Sequence, residues 1–428
     1  MGTDGVIRGE NPPEARRLLI SVVDATGTER SRIIPRKHVA SALASGVHAS
    51  ISSAALFTPR DEPVDAVGLD AVIGDLLLRP DPARLALLDD TGLMWAPADV
   101  FLPDGSEFFS CGRGAVRRST ALLAELGLRA RVGFEVEFTL IRESEGNPRP
   151  AHGGPAYGQR PLLQNENFVQ ELLDDLETAD VPVLQLHAEH GFGQFEIALG
   201  VRDPLDACDD YLLARLIIER TGIRHGLTTQ FAPIPRVGAA ANGMHIHLSV
   251  LRGDVNLLTP NETDTPSREG AAVLAGILDA LPAATALLAG SEASYERLRP
   301  GRWSGASLCW GVGNREAAVR YVPATAAAGT QGGNLEIKPG DASANPYYAV
   351  AALLAAASDG ITRGATPPAP IDISPARLSA EEREARGIRS LPSTLVQALG
   401  LLSESAMLRR RLGDRLIDLY LAVRMPPP

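Results

Sequence analysis

Cysteine is scarce in this 428-residue chain: Cys111, Cys208 and Cys309 are the only three, and none stands in a C-x-x-C spacing. This excludes a disulfide framework and a thiolate metal site, and a reducing cytoplasm fits best. An excess of positive charge is also missing. Lys and Arg total 41 against 52 Asp and Glu, a formal net charge of -11. Broad nucleic-acid binding is therefore not expected, although local arginines remain free to hold a small anion. No stretch of ~18 residues runs without a charge or a strong breaker, and the amino-terminal MGTDGVIRGENPPEARR has no apolar core, so neither a membrane span nor a secretory signal is expected. Val at position 6 removes the myristoylation signal that Met-Gly would begin. Nor is there a G-x-x-x-x-G-K-[ST] loop, so any nucleotide must be held in another way.

What is present is enough apolar material, 45% of residues, to bury a large core in two or more domains. A polar arm over residues 1–16 precedes RLLISVVDATGTERSRIIP, which reads as strand, Gly-centred turn and strand ended by Pro35. RKHVASALASG reads as a helix stopped by Gly46, and short strands split by Pro80 and Pro82 follow. Residues 17–107 are thus expected to form a small α+β domain, and 108–428 a larger one. In the second, the spacing predicts helices at GAVRRSTALLAELGL, NENFVQELLDDLETA, PLDACDDYLLARLIIERTGIRHG, REGAAVLAGILDALPAATALLAG and NPYYAVAALLAAASDGI, and a pair between Ser393 and Val423.

Four short segments share one habit. In VGFEVEFTL, Val132, Phe134, Val136, Phe138 and Leu140 fall on one face of a strand, and Gly133, Glu135, Glu137 and Thr139 on the other. At ~3.3 Å per residue the two carboxylates stand about 7 Å apart. GQFEIAL places Gln194 and Glu196 together, MHIHLSV places His245, His247 and Ser249 together, and NLEIKPGD places Asn334, Glu336 and Lys338 together; Glu189 lies seven residues before Glu196. A single polar strand face is often merely wet. Four faces that offer Glu and His with one Lys are better explained by a cation, because clustered carboxylates repel and raise one another's pKa without one. Hard Mg²⁺ or Mn²⁺ takes oxygen ligands, and Mn²⁺ an occasional imidazole, so Glu135 and Glu137 are expected to hold metal, one ion each. Arg297, Arg315 and Arg320 enter from loops rich in Trp, Gly and Pro, with NREA around Arg315 helical or turn-like. Metals with convergent arginines are equipment for phosphoryl transfer.

In order along the chain, GFEVEF, EHGFGQFE, NGMHIHLS, NREAAVRYVPA and LEIKPGDASANPYYAVAALLAA resemble the motifs of the glutamine synthetase superfamily, over about residues 130–360. VVDATGTERSRIIP and GDLLLRPD resemble its amino-terminal β-grasp domain more weakly. The resemblance implies an α+β fold in which a β-grasp domain (17–107) precedes a catalytic domain (108–428) built on a curved antiparallel half-barrel sheet flanked by helices. It implies a ligase that uses ATP and two or three Mg²⁺ or Mn²⁺ ions to phosphorylate the γ-carboxylate of glutamate, after which a nitrogen nucleophile displaces phosphate. By motif position, Glu137, Glu189 and Glu196 would hold one ion, and Glu135, His245 and Glu336 the other. His247, Ser249, Arg320 and Asn334 fall to ATP, with His247 and Arg320 on its phosphates. Glu189, Arg297 and Arg315 fall to catalysis, with Arg315 on the phosphoryl group in flight, and Arg297, Lys338, Asn242, Gly243 and Trp303 to the substrates, with Arg297 on the glutamate carboxylate. A ring homo-oligomer, a dodecamer, is expected, with each funnel between one subunit's amino-terminal domain and the next subunit's catalytic domain.

Three departures bear on the substrates. Ammonia-using members carry a glutamate six residues after the arginine that Arg297 matches, and here that position is Trp303; the family's DGSS loop reads ALFTPRDEPVD instead. An indole cannot supply the negative charge that binds and deprotonates ammonium, but it packs against carbon or a cationic amine. A primary amine is therefore the expected nucleophile, as in the branch that makes γ-glutamyl amides of polyamines, ethanolamine or alkylamines; the alternatives are a glutamine synthetase using ammonia and a catalytically silent relative. Lys338 and Asn334 replace two family arginines, Asn242 lacks the usual N-G-S-G setting, and the adenylylation tyrosine has no counterpart between Ile371 and Gly400.

Overall fold

The computed structural model describes residues 16–89, 92–143, 147–235, 240–260, 265–324 and 332–425. Strands β1 (Arg17–Val23) and β2 (Glu29–Pro35) form an antiparallel hairpin whose turn is fixed by Asp24: its carboxylate accepts from the amides of Thr26 (2.8 Å) and Thr28 (3.1 Å). Gly27 in that turn has φ of 78°, and a Cβ there would come within 2.7 Å of the Ser343 carbonyl, so only glycine lets the hairpin approach the second sheet's connections. Helix α1 (Arg36–Ser45) stops at Gly46, and β3 (Val47–Ser50), α2 (Ile51–Ala55), β4 (Asp75–Pro80), β5 (Ala86–Leu87) and β6 (Leu93–Phe101) follow. The order is β2-β1-β6-β4-β3, with β5 on β6; β1 runs parallel to β6, and the sheet is grasp-like.

Next come α3 (Gly112–Ala124), β7 (Arg129–Arg142), β8 (Arg149–Pro150), α4 (Gln159–Gln164), α5 (Glu166–Thr178), β9 (Val183–Ala188), β10 (Gln194–Leu199), α6 (Pro204–Arg224), β11 (Leu227–Gln230), β12 (Met244–Arg252) and β13 (Val255–Asn256). After them lie α7 (Arg268–Leu288), α8 (Glu292–Arg297), β14 (Ser307–Val312), β15 (Ala317–Val322), β16 (Asn334–Ile337), α9 (Pro346–Arg363), α10 (Ala380–Ala385) and β17 (Arg389–Ser390). The chain closes with α11 (Leu395–Glu404), α12 (Ala406–Leu412) and α13 (Asp414–Arg424). Eleven strands make the large sheet, ordered β17-β14-β15-β16-β12-β7-β10-β9, with β8, β11 and β13 at its margins.

The back of β7 is apolar as its alternation requires: Val132, Phe134, Val136, Phe138 and Leu140 are all buried, and Phe134 meets Tyr211 of α6 at 4.8 Å between ring centroids. Each such side chain contributes about 1.5–3 kcal/mol on burial. Behind the sheet, α7 and α9 cross with their backbones in contact, since a Cβ on Gly276 would lie 2.2 Å from the Ala356 carbonyl and one on Gly360 2.2 Å from that of Ala272. Helix α7 is long and apolar enough to cross a membrane by length and composition, but 83% of its apolar window is buried inside the protein.

One expectation changes in detail, and one left open is decided. The pair of helices foreseen after Ser393 is three, because Ser405 caps α12 and Gly413, with φ of 100°, breaks the run again. The NREA segment is a turn between β14 and β15, where Asn314 accepts from the Glu316 amide (3.1 Å) and donates to the Ile371 (2.8 Å) and Ile373 (3.1 Å) carbonyls. The three cysteines are free and buried. Between the two sheets sits an ionic network: Arg84 and Arg113 both bind Asp209, while Arg113 also binds Asp81 (2.6 Å) and Asp99 (2.9 Å).

Candidate active site

The site is a product of strand register. On β7, Glu137 lies opposite Glu196 of β10, and Glu135 opposite His245 of β12. One strand further out, β9 sets His187 opposite Glu196. On the other side, His247 of β12 lies opposite Glu336 of β16, and Glu336 opposite Arg320 of β15. Because side chains alternate, all of these groups emerge on one face of six consecutive strands.

The contacts are correspondingly close. His245 Nδ1 lies 3.3 Å from Glu135 Oε2 and 3.4 Å from Glu336 Oε1, and its Nε2 lies 3.8 Å from Glu137 Oε1. His247 Nε2 is 3.3 Å from Glu135 Oε1, and its Nδ1 meets Asn334 Oδ1 at 2.9 Å. Ligand atoms of Glu135, Glu196 and His245 fall within 4.8 Å of one another, as do those of Glu135, His247 and Glu336. Glu135 belongs to both groups. His187 Nε2 stands between Glu189 Oε2 (3.7 Å) and Glu196 Oε1 (3.8 Å).

Charge in this face is unevenly compensated. Burial would raise the Glu135 pKa, but His245 and His247 against it hold the carboxyl far below the ordinary carboxylate range. Burial likewise acts against Glu336, yet Lys338 Nζ (2.9 Å to Oε1) and Arg320 Nη1 (2.9 Å to Oε2) clamp both its oxygens, and Lys338 with the two histidines brings its pKa down to about 2. On His247 burial opposes the charge, and Glu135 and Glu336 outweigh it and raise the pKa. Glu196 is less well compensated: burial and then the charges of Glu135, Glu137 and Glu189 outweigh the opposing pull of Lys338 and push it up to about 9.

Glu189 Oε1 accepts from the Tyr157 hydroxyl at 2.9 Å, while its Oε2 is buried with no hydrogen-bond partner. An orphaned buried carboxylate oxygen, a carboxyl whose pKa is raised by burial and by neighbouring carboxylates, and an oxygen set with imidazoles fit a hard divalent cation.

The other sequence candidates divide into two groups. Arg297 is buried, donates to the Lys338 carbonyl (3.1 Å), and among the described residues has no carboxylate within 4 Å; a Cβ on Gly243 would lie 2.6 Å from its Nη2 and 3.2 Å from Glu137 Oε1. Gly243 therefore leaves a cradle between the guanidinium and the metal-type face. Arg320 is half-buried beside Glu336, Arg315 is exposed on its turn, and Trp303 is 57% exposed with φ of 54°. Asn242 and Ser249 are occupied internally. Asn242 donates to the Gln230 (3.0 Å) and Ala232 (3.1 Å) carbonyls and accepts from Thr139 (3.1 Å) and Gln194 (3.0 Å), so its amide has no group left for a substrate; Ser249 donates to the Gly333 carbonyl (2.8 Å).

Four residues at the site carry roles the sequence did not assign, although alternation had already put Gln194 beside Glu196. Gln194 Nε2 donates to Glu137 Oε2 (3.0 Å) and to the Ala241 carbonyl (2.8 Å), fixing both the carboxylate and the approach to Gly243; its place two residues before Glu196 was the available signal. Tyr157 reaches Glu189 from a loop far away in sequence, His187 enters through the β9 register, and Glu316 supports the Trp303 loop from the neighbouring turn.

A sheet antiparallel throughout except where β14 and β15 run parallel, carrying a carboxylate and imidazole face, backed by helices and preceded by a grasp-like sheet, defines a class of metal-dependent ligases. Residues 109–426 match the family model of the glutamine synthetase catalytic domain, and the chain belongs to that family. It is 38% identical to a gamma-glutamylpolyamine synthetase from Streptomyces coelicolor over 413 residues, covering 95% of this chain and 88% of the relative. It is 30% identical to a glutamine synthetase from Thermus thermophilus (98% and 92% covered) and 28% identical to a glutamate–methylamine ligase from Methyloversatilis universalis (96% and 92%). Among solved structures, a novel glutamine synthase homolog superposes with a TM-score of 0.84 at 30% identity (97% and 95% covered), and an ADP complex of GmaS with 0.82 at 26% identity (96% and 92%). These matches bear out the resemblance read from the motifs, including its leaning toward the amine-ligating branch.

Proposed function

We propose that this protein is an ATP-dependent ligase that joins the γ-carboxylate of glutamate to a primary amine through γ-glutamyl phosphate. The observation that carries the reading is the strand register that gathers Glu135, Glu137, Glu196, His245 and Glu336 on one face, with Arg297 across the Gly243 cradle. Glu137, Glu189 and Glu196 would hold one Mg²⁺ or Mn²⁺, and Glu135, His245 and Glu336 a second. When bound, the ions would offset the charge of the nucleotide phosphates. His247 and Arg320 contact the ATP phosphates, and Asn334 orients His247 by accepting from its Nδ1 through Oδ1 (2.9 Å). Arg297 takes the glutamate carboxylate. A γ-carboxylate oxygen attacks the γ-phosphorus and ADP leaves, while Arg315 stabilises the phosphoryl group in transfer. The amine nitrogen then attacks the acyl carbon, phosphate departs, and one proton is lost from nitrogen. Lys338, whose ammonium sits on Glu336, supports that carboxylate, and Asn242 and Ser249 position the backbone. Residues 17–107 would act as the domain that closes the neighbouring subunit's funnel in a ring homo-oligomer, a dodecamer, with 108–428 carrying the chemistry.

Trp303 supports an amine over ammonia. It is exposed, so it is not a core packing residue, and the nearby Glu316 carboxylate is spent on backbone amides. Phosphate release measured with ATP, glutamate and ammonium, methylamine, ethanolamine, putrescine, spermidine or isopropylamine tests the reading. At least one substituted amine should exceed ammonium by about tenfold or more in kcat/KM, the discrimination that a few pocket contacts supply. Ammonium winning by a wide margin would sink the reading.

Metal binding has its own signature. The folded pKa of Glu196, about 9, lies above the ordinary carboxylate value, so the stability it contributes is complete below that ordinary value and is lost as pH rises toward 9. Protein freed of metal by chelation is expected to melt at progressively lower temperature across that window. Mg²⁺ or Mn²⁺ at one fixed concentration, a hundredfold above its Kd at pH 8.5, should restore about 2.7 kcal/mol at that pH. The rescue should be larger at pH 8.5 than at pH 6, because binding must displace a proton at the lower pH. An equal rescue at both pH values in differential scanning calorimetry would refute it.

A further inference from the structure

We infer that Glu316 is a positioning residue for amine selection, holding the Trp303 loop in its shape from beneath. The inference rests on the amine-ligase reading above. The loop leaves the buried Arg297 at the end of α8 and returns to β14, and both ends are pinned at the site: the Arg297 guanidinium abuts Gly243, and a Cβ on Gly305 would lie 2.8 Å from Cβ of Lys338. Between these ends the backbone takes the left-handed region three times, at Gly301 (φ 78°), Trp303 (φ 54°) and Gly305 (φ 75°). For glycine that is free, but for tryptophan it is unfavourable, and something must hold it. Glu316 does so. It is 7% exposed, its Oε1 accepts from the Trp303 amide at 2.9 Å, and its Oε2 accepts from the Gly301 amide at 3.1 Å. Among the described residues no Lys, Arg or His nitrogen lies within 4 Å of it, so the carboxylate is held by the loop it shapes, a strong charge-assisted arrangement of two backbone donors. Ser304 adds a bond to the Arg299 carbonyl at 3.1 Å. What this frame presents is an indole more than half exposed, so Glu316 touches no reacting atom and acts through Trp303.

The test compares wild type with Glu316→Gln, which turns one acceptor into a donor facing an N–H, and Gly301→Ala, whose new methyl meets nothing nearer than Ala376 Cβ at 3.9 Å and so perturbs only the backbone. For Glu316→Gln, KM for the best nucleophile of the panel should rise about tenfold, with kcat and the KM values for ATP and glutamate within about twofold. Hydrogen–deuterium exchange of the segment 299–305 should quicken about tenfold. Gly301→Ala should move the same two readings in the same direction. Unchanged exchange overturns the inference, as does a fall in kcat with KM for the nucleophile unmoved, which would place the effect of Glu316 on its neighbour Arg315. Should ammonium prove the best nucleophile, the amine reading falls by itself, and the same KM and exchange comparison, made with ammonium, still decides the role of Glu316.

Discussion

Alanine at position 135 is expected to lower kcat/KM by about a thousandfold while leaving the protein folded. Glu135 is the one carboxylate shared by both groups of close ligand atoms, and the contact partner of both His245 (3.3 Å) and His247 (3.3 Å). Its loss removes a ligand from the face that must gather phosphate charge and leaves two imidazoles without the anion that orients them. Removing one preorganised electrostatic group from a reacting centre costs about a hundred- to a thousandfold by itself, and a metal ligand carries more than one such interaction. The fold should survive because the side chain is only partly buried and its negative charge raises the pKa of Glu196, so its removal relieves a repulsion. Steady-state phosphate release with a circular dichroism melt of the same sample decides the matter. A variant that keeps more than a tenth of wild-type activity would overturn the metal assignment.

The second large effect lies away from the chemistry. Asp209 on α6 is fully buried, takes Arg113 through both oxygens (Nε at 3.2 Å, Nη2 at 3.1 Å), lies 3.4 Å from Arg84 Nε, and accepts from the Tyr347 hydroxyl at 2.6 Å. Arg84 follows β4 in the first sheet, Arg113 opens α3, and Tyr347 opens α9, so one carboxylate joins four parts of the chain. Asp209→Ala should cost about 3–5 kcal/mol, because two buried guanidinium groups lose their shared counter-charge. Urea denaturation checks this, and a loss below about 1 kcal/mol would show that the arginines find equal partners in Asp81, Asp99 and Asp210. Asn345 makes the neighbouring link by donating to the Asp24 carbonyl (2.9 Å), so loosening Asp209 should be felt at the β1–β2 hairpin first.

How much of this was legible beforehand differs with the kind of information each feature uses. Which residues share a face is a local property, and Val132 to Leu140, Gln194 to Leu199, Met244 to Val250 and Asn334 to Ile337 are strands with the faces that alternation assigns. Which face meets which is not local. Nothing in the spacing sets His245 opposite Glu135 or His187 opposite Glu196; that follows from the pairing of strands brought together by long connections. Asn242 shows the opposite limit: a motif neighbour of Gly243 looked fit for a substrate, but its hydrogen bonds close on Gln230, Ala232, Thr139 and Gln194. Glu316 was invisible for the same reason, because its partners are backbone amides, which carry no sequence signal.

The alternation on β7 also has a consequence for how the chain finds its fold. If β7 were displaced by one residue against β10 and β12, Glu135 and Glu137 would turn toward Tyr211 and the surrounding apolar core, and Phe134, Val136 and Phe138 would turn to the open face. Each displaced apolar side chain would forfeit about 1.5–3 kcal/mol, and each carboxylate would be stranded in the interior at several kcal/mol more. The misregistered sheet is thereby excluded by the same residues that build the ligand face. A molecule of this sequence that has packed its core has, in the same step, placed its carboxylates, and misfolded sheets are rejected without any separate safeguard.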